Sequence, residues 1–365
     1  GEGSRARGAA ARDQQQTPLG AKGGDGVTQD EQQAREVAHW QLLTFRARSF
    51  RWASALLTAA QRRRVAALYA FCRQVDDLAD ADWVAPEAQA DLENLLTALE
   101  AEPNGEALWP PSYLWFRDLC VECDIEFGVV RQLLLGMLSD LGVVRVQSDS
   151  ELVRYCYRAA GTVGLMMCSV LGVRDRRALR HAIDLGIAMQ LTNISRDVLE
   201  DAEACRVYLP AERLEAYGVS PEELVDGSAD PQSVSVVVSD VLALAERYYE
   251  SGDAGMRYLP GRARWAILVA SRLYRGIGRR LRRRRQSNPL LGRVVVPWFA
   301  KLGLAASASL GWLRVTLLPP KTRPVLPYRE YRRAVQGLPK DSVAKGGPVI
   351  ASDGGRPMAP RRSML

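Results

Sequence analysis

Histidine is almost missing from this 365-residue chain: His39 and His181 are the two that occur. The CxxC pair Cys120-Val-Glu-Cys123 therefore lacks the further ligands that a zinc site needs. The six cysteines lie mostly inside apolar periodic segments, as in a reduced, cytosolic protein. Strand-like alternation is nearly absent, and no fixed period recurs that would mark a helical repeat array. No apolar stretch reaches the roughly 20 uninterrupted residues of a membrane-spanning helix. The best candidate, residues 294–318, is broken by Pro297, Lys301 and Arg314. Residues 1–30 hold no apolar core of a secretory signal. A nucleotide-binding glycine loop is missing, and so is any zinc finger, RNP aromatic pair or helix-turn-helix, which points away from nucleic acid.

What is present is ordinary for a globular chain, with 47% hydrophobic and 25% charged residues. Residues 1–32 carry few large apolar side chains, so ordering them would cost more entropy than burial returns, and a disordered N-terminal tail is expected. Residues 319–365 are expected to be mostly disordered as well. The remainder, 33–318, reads as one all-α domain. Apolar residues recur at three-to-four spacing over 33–60, 61–81, 88–99, 113–123, 127–142, 151–170, 175–201, 235–251, 261–285 and 302–317. Proline and glycine breaks separate them. The net charge of +7 is local: RRLRRRR at 279–285 and RRR at 62–64 supply nine arginines. The first run suits either a solvated helix end or an anionic lipid surface, and residues 294–318, with Trp298 and Trp312, suit either an interfacial helix or a plain capping helix.

Residues 69–80, YAFCRQVDDLAD, set carboxylates on an otherwise apolar helix. At about 100° per residue, Tyr69, Arg73, Asp76 and Asp80 share a sector of roughly 60°. Val65, Leu68, Cys72, Val75 and Ala79 fill the adjoining sector, so the acidic stripe borders the buried face and does not oppose it. A second stripe lies in residues 189–210, MQLTNISRDVLEDAEACRVYLP, where Gln190, Asn193, Asp197 and Asp201 repeat nearly the same spacing. Each helix thus offers a DxxxD pair and an arginine, Arg73 or Arg196. Four carboxylates facing one another beside apolar walls would repel strongly, at a cost of about several kcal/mol each, unless a cation lay between them. Oxygen donors of this kind suit Mg²⁺ shared with a diphosphate, with Mn²⁺ as the alternative, and Arg73 and Arg196 would add positive charge. With greasy walls that exclude water, this chemistry is the ionisation of an allylic diphosphate.

The chain resembles the squalene/phytoene synthases over roughly residues 47–300. The likeness rests on Ala47-Arg48-Ser49-Phe50, YAFCRQVDDLAD, Gly136-Met137 with Asp140-Leu141, YCYRAAGTVG at 155–164, QLTNISRDVLEDAEACRVYLP at 190–210 and YLPGRARWAILVASRLY at 258–274. The resemblance implies a class I isoprenoid-synthase fold with a central apolar cavity. It also implies a head-to-head (1′–1) condensation of two prenyl diphosphates through a cyclopropylcarbinyl diphosphate, giving phytoene from two geranylgeranyl diphosphates without a nucleotide cofactor. On this resemblance Asp76, Asp80, Asp197 and Asp201 ligate the metal ion, with Tyr69 and Arg73 also in the catalytic set. Arg73, Arg196 and Arg206 contact diphosphate, and Ser49, Phe50, Tyr157, Gln190, Asn193, Tyr208 and Tyr274 line the substrate pockets. Asp77 and Glu200 flank the ligands. A cytoplasmic protein resting on the membrane surface is expected.

The chain departs from the family pattern at Arg46 and Ala47, where many relatives carry His or a second Ser, and at Ser195, where many carry Leu. Farnesyl-using squalene, dehydrosqualene or presqualene diphosphate synthesis is the alternative chemistry. A scaffold protein of the same fold is the non-enzymatic alternative.

Overall fold

The apolar period of residues 61–81 becomes helix α1 (Ala59–Asp80), whose Val65, Leu68, Phe71 and Val75 are almost wholly buried. The computed structural model describes residues 57–80, 86–101, 108–283, 289–292, 308–309, 311–313 and 333–339. The expected helix at 33–60, the N-terminal tail and most of 302–317 lie outside the described residues. After α1 come α2 (Pro86–Ala101), α3 (Leu114–Cys123) and α4 (Phe127–Leu138). Phe71 of α1 stacks on Phe116 of α3, which fixes the depth of α1 in the core. The turn between α3 and α4 is made by Asp124 in the left-handed conformation, φ 53°, with its N–H on the carbonyls that end α3.

A long helical run follows as α5 (Asp149–Cys156), a five-residue π-helical stretch (Tyr157–Gly161) and α6 (Thr162–Val170). Ser148 caps its start by accepting the N–H of Glu151, while Glu151 reaches back to the N–H of Gln147 at 2.8 Å. Helix α7 (Arg177–Arg196) packs against α6, the π stretch, α11 (Pro231–Gly255) and α12 (Gly261–Arg283), so its apolar side chains meet neighbours on several sides. Between α7 and α11 lie α8 (Val198–Glu203), α9 (Ala211–Glu215) and α10 (Pro221–Val225).

Two glycines set the closeness of α7 to the run before it. A methyl group on Gly164 would stand 2.3 Å from the Ala182 carbonyl oxygen, and one on Gly186 would stand 2.3 Å from that of Ala160. Both positions require glycine because another backbone occupies the space. Gly164, within the AAGTVG stretch, therefore serves close helix packing.

Three local features differ from the sequence reading. Helix α4 stops at Leu138, and Gly142 follows with φ 92°, so the helix expected to 142 ends four residues early. The helix expected over 175–201 breaks at Asp197, whose φ −104° and ψ 20° separate α7 from α8. A pair of two-residue parallel strands also forms, β1 (Val144–Arg145) with β2 (Arg206–Val207), in the register Val144 to Arg206 and Arg145 to Val207. Two residues leave no alternation for a sequence pattern to show. Their tertiary effect is considerable, since they draw the segment after α8 alongside the turn that carries Asp140.

Among the described residues no helix is long and apolar enough to cross a membrane. The described part of 302–317 packs on α12: Trp312 donates its indole N–H to the Gly261 carbonyl at 3.0 Å, and Trp265 donates to Ser309 Oγ at 3.1 Å. Trp298 lies outside the described residues. Residues 333–339, within the stretch expected to be mostly disordered, dock on the α5 side, where the Ala334 carbonyl accepts from Arg154 at 3.0 Å.

Candidate active site

Helix α7 carries the site along its length. Its cavity-facing residues run from Ala178 to Asn193 and line a cavity of about 250 Å³ shared with α6, α11 and α12. Most of the lining is apolar, and Gln190, Asn193 and Tyr274 supply polar groups at the end nearest Asp197. Asn193 donates Nδ2 to Gln190 Oε1 at 3.3 Å, while its own Oδ1 is buried with no hydrogen-bond partner. A buried acceptor left open beside a cavity costs about 1–3 kcal/mol until a ligand supplies a donor or a cation.

One turn beyond Asn193, Asp197 accepts Arg196 Nε at 2.6 Å, and the second Arg196 nitrogen pairs with its other oxygen. Asp201 follows on α8. Burial, together with the charges of Asp197, Asp140 and Glu200, pushes its carboxyl up to about 8, against a downward pull from Arg206. Arg206 also donates Nη2 to the Ala79 carbonyl at 2.8 Å, which ties the end of α1 to the strand after α8. On α1, Arg73 shares its guanidinium between Asp76, at 2.7 Å, and Asp77. Asp76 is 46% exposed, so on α1 Asp76 and its neighbour Asp77 face water while Asp201 is mostly sequestered. Asp80 ends α1, and its side chain lies outside the described part.

Asp140 joins these two halves and was given no role of its own from sequence. It is 6% exposed and accepts Tyr208 Oη at 2.6 Å and Tyr155 Oη at 2.9 Å, the two rings stacking with centroids 4.7 Å apart. Burial raises its carboxyl to about 6; the tyrosine hydrogen bonds and Arg206 oppose this, and Asp76 adds to it. Asp140 thus feels Asp76 from one helix and Asp201 from the other. Its position in a turn after α4 puts it on no helical stripe, and the Asp140-Leu141 element was the one sequence signal for it.

Of the expected site residues, Gln190, Asn193 and Tyr274 line the cavity, Tyr208 bonds Asp140, and Asp76, Asp201 and Arg206 share an electrostatic field with Asp140. Tyr69 is partly buried against the core. Tyr157 is buried with its hydroxyl on the Pro339 carbonyl at 3.0 Å and is not among the cavity-lining residues. Ser49 and Phe50 lie outside the described residues. Ser195, a departure from the family pattern, is 1% exposed and satisfies its hydroxyl on the Leu191 carbonyl at 2.8 Å, so it fits the apolar interior without a ligand.

Among the described residues no three His, Cys, Asp or Glu side chains converge closely enough to hold a metal ion. The donor chemistry nonetheless fits a hard divalent cation. Oxygen groups predominate, the open Asn193 Oδ1 lies one helical turn before Asp197, and burial pushes the Asp201 and Asp140 carboxyls upward.

A predominantly helical chain in which Asp197 lies one helical turn beyond the polar end of an apolar cavity has the form of a class I isoprenoid synthase, an enzyme of the prenyltransferase type. The squalene/phytoene synthase family model matches residues 44–300. The chain belongs to the squalene/phytoene synthase family. It is 41% identical to the 15-cis-phytoene synthase of Enterobacter agglomerans over 242 residues, 63% of this chain and 80% of the relative. It is 38% identical to the 15-cis-phytoene synthase of Pantoea ananas over 239 residues, 63% of this chain and 77% of that one. Among solved structures, a dehydrosqualene synthase in complex with ligand superposes with a TM-score of 0.66 at 28% identity, covering 77% of this chain and 97% of the other.

Proposed function

We propose that this enzyme joins two geranylgeranyl diphosphates head to head to give phytoene. One diphosphate ionises, and the other substrate's double bond attacks the allylic cation to form a cyclopropylcarbinyl diphosphate. That intermediate ionises in turn, rearranges and loses a proton. The observation that carries the reading is the cavity along α7, whose polar end at Gln190 and Asn193 lies one helical turn from Asp197. The names of the relatives, 15-cis-phytoene synthases at 41% and 38% identity, favour the twenty-carbon substrate.

In this reading Asp76, Asp80, Asp197 and Asp201 would hold divalent metal ions, Mg²⁺ or Mn²⁺. Such ions neutralise the diphosphate and make it a good leaving group. The chain's own residues do the rest. Arg73, Arg196 and Arg206 set positive charge where diphosphate charge develops, each already oriented by a carboxylate or a backbone carbonyl. The apolar walls exclude the water that would otherwise capture the cation, and the Tyr274 ring at the polar end offers it an aromatic face. No reductant is needed for this product. The hydrocarbon product and the arginines of 279–285 support a cytoplasmic enzyme resting on the membrane surface.

The test is incubation with Mg²⁺ and either farnesyl or geranylgeranyl diphosphate, with and without NADPH, followed by product extraction. Phytoene from the twenty-carbon substrate without NADPH is expected. Squalene formed only with NADPH overturns the assignment. Absence of diphosphate release from any prenyl diphosphate points to the scaffold alternative.

A further inference from the structure

The end of the cavity remote from Asp197 holds one imidazole in a mainly apolar lining. His181 lines the cavity there, 8% exposed, with Ala178, Ala182 and Met256 around it. Its Nδ1 lies 3.0 Å from Ser251 Oγ, and Ser251 donates to Asp184. A serine hydroxyl has a single proton, and here it goes to Asp184, so Nδ1–H of His181 must be the donor to Oγ. The imidazole also stacks on Tyr258 with centroids 5.9 Å apart, and Arg177 braces that ring from 5.0 Å. Behind it, a methyl group on Gly255 would stand 2.2 Å from His181 Cβ, so the α11 backbone presses on the side chain's root. The ring is held by a hydrogen bond, a stack and a backbone wall, and it cannot swing aside cheaply.

Twelve residues of α7 separate His181 from Asn193, which at about 1.5 Å of rise each is about 18 Å. Both side chains lean toward the helix N-terminus, so the offset between them is preserved. An extended chain gains about 1.15 Å per bond, so a four-bond isoprene unit spans about 4.6 Å. Three units then reach about 14 Å and four reach about 18 Å. We propose that His181, locked by Ser251 and Asp184, closes the prenyl pocket and sets its length at four isoprene units. The inference rests on the prenyl-diphosphate reading above and assigns the residue that makes the substrate twenty carbons long.

The test compares kcat/KM for farnesyl, geranylgeranyl and geranylfarnesyl diphosphates with Mg²⁺ in the full chain, alongside Kd for the unreactive S-thiolodiphosphates of each length. The wild type is expected to favour the twenty-carbon substrate over the twenty-five-carbon one by about tenfold or more, the discrimination typical of extra methylenes against a wall. His181→Ala removes the wall and is expected to raise the C25 to C20 ratio at least tenfold in both readouts. Ala182→Phe fills the last unit while leaving the His181–Ser251 pair in place, and is expected to lower the C20 to C15 ratio at least tenfold. Should His181→Ala lose its cooperative thermal transition, Ala182→Phe decides alone. Unchanged ratios in the folded variants overturn the pocket-floor assignment while wild-type turnover leaves the enzymatic reading standing. A wild type that turns over none of the three substrates overturns both.

Discussion

Replacing Asp140 by Asn removes one charge from a nearly water-free position and keeps the side chain's shape. The Asp140 carboxyl is raised by burial from 3.8 to about 6, and the side chain is only 6% exposed. A rise of about two units corresponds to about 3 kcal/mol between its charged and neutral forms. The folded-state value lies above the unfolded one, so the neutral acid's contribution to stability is full below pH 3.8 and is lost as pH rises through about 6. The wild type, stripped of metal with EDTA, should therefore lose stability relative to Asp140→Asn at about 1.4 kcal/mol per pH unit across that window. Above it the difference should level off at about 3 kcal/mol, and both tyrosine hydroxyls keep an oxygen or amide neighbour in the variant. Removing the charge also relieves Asp201, which feels Asp140, so the plateau is a lower bound. Urea unfolding at intervals from pH 4 to pH 8 measures the difference curve directly. A difference that stays flat with pH, or a variant less stable than wild type at pH 8, refutes the burial argument.

Asp76→Asn and Asp197→Asn are each expected to lower turnover by roughly 100-fold or more, the scale of lost charge stabilisation at a leaving group, with far-UV circular dichroism unchanged. Wild-type rates in either variant would remove that residue from the metal set. Chelation should stop diphosphate release and added Mg²⁺ should restore it, as followed with a coupled diphosphate assay; turnover that persists in EDTA contradicts the metal assignment. Gly186→Ala forces α7 away from the Ala160 carbonyl, only 2.3 Å from the added methyl group. Overpacking of this kind costs about 1–3 kcal/mol, so calorimetry should find Tm lowered by several degrees; a Tm within a degree of wild type would mean that the two helices can part freely.

The DxxxD stripes could be read from the sequence because they need only the helical period, which is local. Tyr69, Arg73 and Asp76 on α1, and Gln190, Asn193 and Asp197 on α7, repeat at three- and four-residue steps whatever the rest of the chain does. The break at Asp197 left the second stripe in register, since the Asp201 N–H still bonds the Asp197 carbonyl at 2.9 Å. Asp140, by contrast, gave no periodic signal. Its meaning comes from Tyr155 of α5 and Tyr208 beyond β2, and no spacing along one element relates them. The same holds for His181, which in sequence is a lone histidine on an apolar helix. Its partner Ser251 is seventy residues away on α11, and the Tyr258 ring against which it stacks lies further still.

The sequence by itself settled that the chain folds as helices, that two of them carry acidic stripes at the edge of a buried face, and that these stripes suit diphosphate chemistry. Those facts follow from side-chain type and a period of 3.6 residues. The tertiary structure decided which carboxylates share a field, that Asp76 faces water more than Asp201 does, and that a cavity runs along α7 with His181 at the end away from Asp197. Burial and proximity between residues far apart in the chain depend on how the helices pack. Glycines at 164 and 186 let backbones approach, and a two-residue strand pair brings Arg206 to Ala79.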